Sequence, residues 1–368
     1  MHTLINSVPT AANAGYYAKI VRERAIARRL VDAGTKIVQL GYSVEGDVDD
    51  AVDQAQAEVY QVTERRASED YVQLNTLLEE TFDEMERISK GVGPEGVLSG
   101  FRDLDKLTNG FHPGNMIVIA ARPAVGKSTL ALDIIRNAAI HDKKTAVIFS
   151  LEMSRSEITM RMLSAEARIA LSNIRSGVLS DDEWARLARR MGEISDAPLF
   201  IDDSPNLSMM EIRAKARRLK QRHDLKVIVI DYLQLMSSGK KVENRQQEVS
   251  EFSRHLKLMA KELDVPVIAI SQLNRSSEQR SDKKPVLSDL RESGSIEQDA
   301  DMVILLHRED LYDKQNRSGE ADLFVVKHRN GPTRDLIVSA QLHFSRFVDM
   351  PTAQNFGNTD FTQARSAE

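Results

Sequence analysis

Met116-Ile117-Val118-Ile119-Ala120 runs without a break into Ala121-Arg122-Pro123-Ala124-Val125-Gly126-Lys127-Ser128-Thr129, and a helix-like run over residues 130–139 follows at once. An apolar strand that ends in a turn and feeds a helix aims several backbone N–H groups, and the positive end of the helix dipole, at one point in space. A triphosphate fits that point. In the phosphate-loop pattern G-x-x-x-x-G-K-[ST], Gly126, Lys127 and Ser128 match, while Ala121 stands where the first glycine belongs. The strand before and the helix after separate this stretch from a chance Gly-Lys-Ser in a loop. The plainer alternative is a basic residue at a helix start.

The chain has 368 residues, enough for about two domains and a core that needs no staples. With no cysteine, disulfides, thiolate zinc sites and cysteine nucleophiles are excluded. Eight histidines are scattered without metal-ligand spacing, which argues against a protein-held transition metal. No run approaches the ~20 apolar residues of a membrane span, and the amino terminus has no apolar signal core, so the expectation is a soluble, cytoplasmic protein with no membrane contact. The 50 basic and 55 acidic residues leave a net charge of -5. The chain as a whole therefore has no bulk attraction for nucleic acid, and any such contact must be local.

Residues 1 to 90 read as helical, without strand alternation. Tyr17, Ile20, Val21 and Leu30 mark a helix expected to stop near Gly34. Over 47–66, Val48, Val52, Ala55, Val59 and Val62 form a narrow seam, suited to a helical hairpin or to an ordinary bundle. A third helix over 70–89 puts Leu74, Leu78, Phe82 and Met85 on one face, beside a Gly-rich linker at 91–96. That stripe packs on its own domain or docks on a neighbouring subunit.

From Leu98 onward short apolar runs alternate with helical segments. The runs are 116–120, 145–150, 198–201, 226–230, 265–270 and 302–306, and they indicate a mostly parallel sheet covered on both faces. The fold class expected is therefore α/β. Two longer strands, 321–329 and 335–344, are joined at Asn330-Gly331, a hairpin signal. From about Met350 the polar tail reads as mobile.

Chemistry at a bound triphosphate needs a magnesium ion, an activated water and positive charge on the leaving phosphates. Lys127 is placed to reach the β and γ phosphates and the Ser128 hydroxyl to ligate magnesium. Asp231, pushed to the end of Val227-Ile228-Val229-Ile230, is a magnesium carboxylate or a helix cap. Glu152 follows the run ending at Ser150; there it orients or deprotonates the attacking water, or is a surface glutamate. Gln272 follows the fifth run, where an amide can sense the γ-phosphate or is an ordinary polar residue at a strand end. Lys327 and Arg329 share one strand face and His328 the other. The two cations serve a neighbour's nucleotide as an arginine finger or form a solvated basic edge. In the loop expected over 287–295, Arg291, the serines and the Gly294 backbone are donors suited to a phosphodiester backbone. The stretch 236–247, with Gly239, Lys240, Lys241 and Arg245, suits a basic contact of the same kind.

Six blocks occur in order: A-R-P-A-V-G-K-S-T, S-L-E-M-S, V-I-D-Y-L-Q-L, A-I-S-Q-L-N-R, D-L-R-E-S-G-S-I-E-Q-D-A-D and K-H-R-N-G-P. Together they resemble the bacterial replicative DNA helicases of the DnaB type, densely over 99–350 and more loosely over 10–89. Ala121 in place of glycine is itself a habit of that family. The resemblance implies a RecA-like P-loop ATPase core working as a homohexamer around single-stranded DNA at the replication fork, with ATP and Mg2+ bound between subunits. It implies that Ala124, Val125, Gly126, Lys127, Ser128, Thr129 and Arg161 hold the nucleotide, Arg161 at the adenine face. Ser128 and Asp231 would hold the metal, Glu152 would be the catalytic carboxylate and Gln272 the γ-phosphate sensor. Arg329 would be the finger supplied in trans, with Lys327 beside it, and Arg291, Glu292 and Gly294 would follow the DNA backbone.

The implied organisation is a partial amino-terminal helical collar at 1–69, a linker helix and flexible linker at 70–96, the core at 97–350 and a tail at 351–368. The linker helix would grip the next subunit. Primase and a helicase loader are implied partners through the collar, whose earlier helices are expected to be missing, and the location implied is the bacterial cytoplasm at the nucleoid. Two rival readings use the same core: a RecA-like strand-exchange ATPase forming filaments, and a nucleotide-binding loader or scaffold.

Overall fold

The structure is a computed structural model that describes residues 14–42, 96–205, 207–231, 245–280, 282–313 and 316–351, with scattered positions between 51 and 86. The chain divides into two compact units, Met1–Gly93 and Pro94–Glu368. In the first, α1 (Ala14–Tyr42) is one continuous helix. It runs through Gly34, where a stop was expected. Gly34 has open space around it, so the missing side chain removes no packing, and an interior glycine costs only about 1 kcal/mol. Of the helix read over 70–89, the described positions Leu74, Leu78, Phe82 and Met85 are helical and exposed. The linker at 91–95 and the tail at 352–368 lie outside the described residues.

The second unit is built on a nine-stranded sheet in the order β3-β2-β4-β5-β1-β6-β7-β8-β9. The strands are β1 (Met116–Ala121), β2 (Ala146–Ser150), β3 (Leu199–Asp202), β4 (Val227–Asp231), β5 (Val267–Gln272), β6 (Met302–His307), β7 (Glu320–His328), β8 (Arg334–Gln341) and β9 (Arg346–Asp349). The first six pair in parallel and the last three continue from β6 in antiparallel fashion. All six apolar runs are strands, each within two residues of its expected start and end. Every residue of β1, β2, β4 and β6 is buried, because helices cover both faces and no position alternates to water.

Alternation still sorts the residues between the two faces. Ile117, Ile119 and Ala121 join one core with α3 (Lys127–Arg136) and α4 (Arg155–Ala167). Met116, Val118 and Ala120 join the other with α7 (Met209–His223), α8 (Arg245–Leu263) and α10 (Gly294–Asp299). Between these elements run α2 (Arg102–Thr108), α5 (Leu171–Ser176), α6 (Asp181–Ser195) and α9 (Ser276–Gln279). Serines 154, 180 and 208 cap α4, α6 and α7, each accepting from the backbone N–H three residues on.

Two expectations are corrected. The second hairpin strand ends at Gln341, and after a 3-10 turn at Leu342–Phe344 the chain returns as β9, which the sequence reading did not anticipate. The stretch 287–295 is helical: a 3-10 segment, Leu287–Ser293, runs into α10. Leu290 and Ile296 are buried in the second core, which supplies the apolar anchors that a loop reading overlooked.

Candidate nucleotide site

The phosphate loop is shaped by two backbone positions. Ala124 has φ 65 and Gly126 φ 115, both left-handed, so the chain turns sharply before α3 begins at Lys127. Gly126 is required twice over: a Cβ there would meet the Phe347 ring at 2.9 Å. No side chain caps the amino end of α3, which leaves its first N–H groups directed at the loop. Arg122 braces the loop from behind, donating from Nε to Glu278 at 2.7 Å and from Nη1 to the Leu273 carbonyl at 2.8 Å.

Strand register brings the remaining groups to this edge. Ser150 pairs with Asp231, and Ala121 with Gln272, so the ends of β2, β4 and β5 stand in line beside the loop. Beyond β2 a tight turn closes with the Ser150 hydroxyl accepting from the Met153 N–H at 3.0 Å and donating to the Met153 carbonyl at 2.7 Å. This turn presents Glu152, whose Oε2 accepts from Lys127 Nζ at 3.2 Å.

Asp231 is fully buried, and neither carboxylate oxygen has a partner in hydrogen-bonding geometry. Burial pushes its pKa up to about 6, against the pull of Lys127, the nearby Ser128 hydroxyl and Arg161, while Glu152 adds to the rise. Ser128 thus stands near enough to favour the ionised form without closing a bond. The five groups Lys127, Ser128, Glu152, Arg161 and Asp231 therefore share one electrostatic site. Arg161 is held on α4 by Glu157 at 2.8 Å, with the Ser345 hydroxyl at 3.5 Å.

An unpaired buried carboxylate is expensive without a cation. Among the described residues no three His, Asp or Glu side chains converge as a complete metal cage. The donor set, one carboxylate and one hydroxyl beside a phosphate loop, suits magnesium, which is bound through one or two protein oxygens plus substrate phosphates.

Lys327 and Arg329 lie elsewhere. His328 pairs with Met302, and Met302 with Ile117, which places them at the starting edge of β1, roughly 15–20 Å of strand from the phosphate loop at its far end. As expected they share a side. Lys327 Nζ donates to the carbonyls of Glu297 at 2.6 Å and Gln298 at 3.3 Å, and Arg329 Nη2 to that of Gln298 at 2.5 Å. Arg329 Nη1 stands 3.4 Å from Asp301 Oδ1. The backbone of Arg291 and Glu292 belongs to the 3-10 segment and that of Gly294 to α10; their side chains, and residues 232–244, lie outside the description.

The sequence reading missed Asp301 as the partner of Arg329, and Phe347 as the wall behind Gly126. Asp301 sits inside one of the quoted blocks, in D-A-D, but nothing local ties it to an arginine that follows 28 residues later. Phe347 carries no signal at all until β9 is placed.

Residues 96–349 match the family described as DnaB-like helicase C terminal domain. A replicative DNA helicase DnaB from Leifsonia xyli subsp. xyli is 62% identical over 352 residues, 95% of this chain and 77% of its own. A solved DnaB-like replicative helicase, described with its interactions with primase, superposes with a TM-score of 0.75 at 32% identity, covering 95% of this chain and 82% of that one. A solved ATPase domain superposes with a TM-score of 0.72 at 38% identity, covering 77% of this chain and all of that domain.

Proposed function

The chain belongs to the DnaB family of replicative DNA helicases, nucleotide-dependent ATPases that unwind DNA, and on that footing we propose that its ATP site is completed in trans within a homohexameric ring. One observation carries the reading. The half-site at the phosphate loop and the cation pair Lys327–Arg329 stand at opposite strand ends of one sheet, which separates a chain's own finger from its own phosphates. In a head-to-tail ring the two ends of successive subunits meet, and each interface gains a whole site.

In this reading the loop N–H groups, Lys127 and Thr129 hold the phosphates, and Arg161 lies along the adenine. Ser128 and Asp231 would hold magnesium, which would supply positive charge to offset that of the phosphates. Glu152 turns from Lys127 to the attacking water and positions it for in-line displacement. Gln272, at the end of β5, senses the γ-phosphate. Arg329 of the next subunit, with Lys327, stabilises the charge that develops on the leaving phosphates.

Single-stranded DNA passes through the ring past Arg291, Glu292 and Gly294 of each subunit. Backbone contacts repeated around a ring explain how a chain of net charge -5 holds DNA through one inner rim. Primase and a loader are the partners proposed for the amino-terminal unit, as the primase complex of the solved relative suggests. The site of action proposed is the bacterial cytoplasm, and among the described residues no helix is long and apolar enough to cross a membrane.

Forked-duplex unwinding with ATP and magnesium tests this. Lys127→Ala is expected to abolish unwinding and to cut ATP hydrolysis by at least about 100-fold, the scale of losing a charged group from a transition state. Unwinding at the parent rate would sink the reading.

A further inference from the structure

Asp301 sits where β1, α8, α10 and the cation strand β7 converge, and it is only 7% exposed. Its Oδ2 accepts from the Met116 N–H at 2.8 Å and from Lys257 Nζ at 2.5 Å, and its Oδ1 faces Arg329. Its own N–H donates to the Met116 carbonyl, and its carbonyl accepts from the Arg329 N–H, both at 2.9 Å. One residue thus fixes the backbone of Arg329, one side of its guanidinium and the start of the phosphate-loop strand.

The other side of the guanidinium, and the whole of the Lys327 ammonium, rest on carbonyls at the carboxyl end of α10, where a helix favours cations. Desolvation lowers the Lys327 pKa, with the Arg329 charge as a second cause, so two like charges stand together because this mount holds them. α10 is in turn pinned to α8 along its length. Ser295 donates to Ser250 at 2.8 Å, and Ser253 donates to Asp299 at 2.8 Å. At its other end α10 continues directly into the backbone of Arg291 and Glu292.

We propose that Asp301 and the carboxyl end of α10 are the positioning mount of the trans cations. This rests on the reading of Arg329 as the finger.

The test is steady-state ATP hydrolysis by the full chain, with and without an oligo-dT strand, in Asp301→Asn, Asp301→Glu, Arg329→Ala and the Asp301→Asn/Arg329→Ala double variant. Asparagine still accepts from Met116 but no longer balances Arg329. The expected result is an approximately tenfold fall in the DNA-stimulated kcat with KM for ATP within about twofold, partial rescue by Asp301→Glu, and a double variant no slower than Arg329→Ala alone. Should Asp301→Asn fail to fold, Ser253→Ala, which releases Asp299 and the end of α10, carries the same expectation at about threefold. A DNA-stimulated rate unchanged in Asp301→Asn, or a double variant slower by the full extra factor, overturns the mount while leaving the finger intact. Parent-like hydrolysis in Arg329→Ala removes the finger reading itself, and the mount with it.

Discussion

At Asp231 burial outweighs every neighbour. Its pKa of about 6 is raised first by desolvation, and Lys127, Ser128 and Arg161 only partly offset this. The sign follows from linkage: between about pH 4 and 6 the folded chain binds a proton that the unfolded chain releases, so this group stabilises the metal-free fold as pH falls and that gain is lost as pH rises through 6. Asp133, also raised to about 6 by burial, acts in the same direction. Of the two, only Asp231 stands beside the phosphate loop, in the field of Lys127 and Ser128, and a cation there would require the carboxylate ionised. Magnesium-dependent binding of a fluorescent ATP analogue is therefore expected to weaken below about pH 6, and the step should vanish in Asp231→Asn. A step that survives the substitution would assign the proton elsewhere. This residue was legible in sequence, because four apolar residues deliver a carboxylate to a strand end. Its unpaired state was not, since that depends on what covers it.

Among the elements, β9 is the one whose role emerges only in three dimensions. Phe347 donates its N–H to Asp133 Oδ2 at 2.6 Å, locking β9 to α3, and its ring fills the space that a side chain at Gly126 would need. Phe347→Ala should leave a cavity behind the phosphate loop and lower stability by about 3–5 kcal/mol in urea unfolding, with weaker nucleotide binding at permissive temperature. Unchanged nucleotide affinity in a folded variant would show that the loop keeps its shape unaided. The buried parallel strands were readable as apolar runs because both faces are covered. β9, whose four residues include Arg346 and Asp349, gave no such run. Gly34 and the Ser-Gly-Ser of 293–295 misled in the same way: they carry local breaker signals that surrounding helix overrides, by continuity at Gly34 and through buried Leu290 and Ile296 at the other.

For the whole molecule, the sheet sets the proposed assembly. Its parallel arrangement gathers Lys127, Glu152, Asp231 and Gln272 at one end of the strands, and the antiparallel return of β7 carries Lys327 and Arg329 back to the opposite end. On the proposed reading a single chain carries two half-sites, as a heterologous, ring-closing contact would require. The exposed apolar residues Leu74, Leu78, Phe82 and Met85 are, on the same proposal, a second surface for the next subunit. The most direct measurement mixes two inactive chains, Lys127→Ala with its finger intact and Arg329→Ala with its phosphate loop intact, and follows ATP hydrolysis after subunit exchange. If sites are completed in trans, about a quarter of the interfaces in an equal mixture are whole and hydrolysis returns on mixing. If each chain supplied its own finger, no interface would be whole, and the mixture would stay as inactive as its parts.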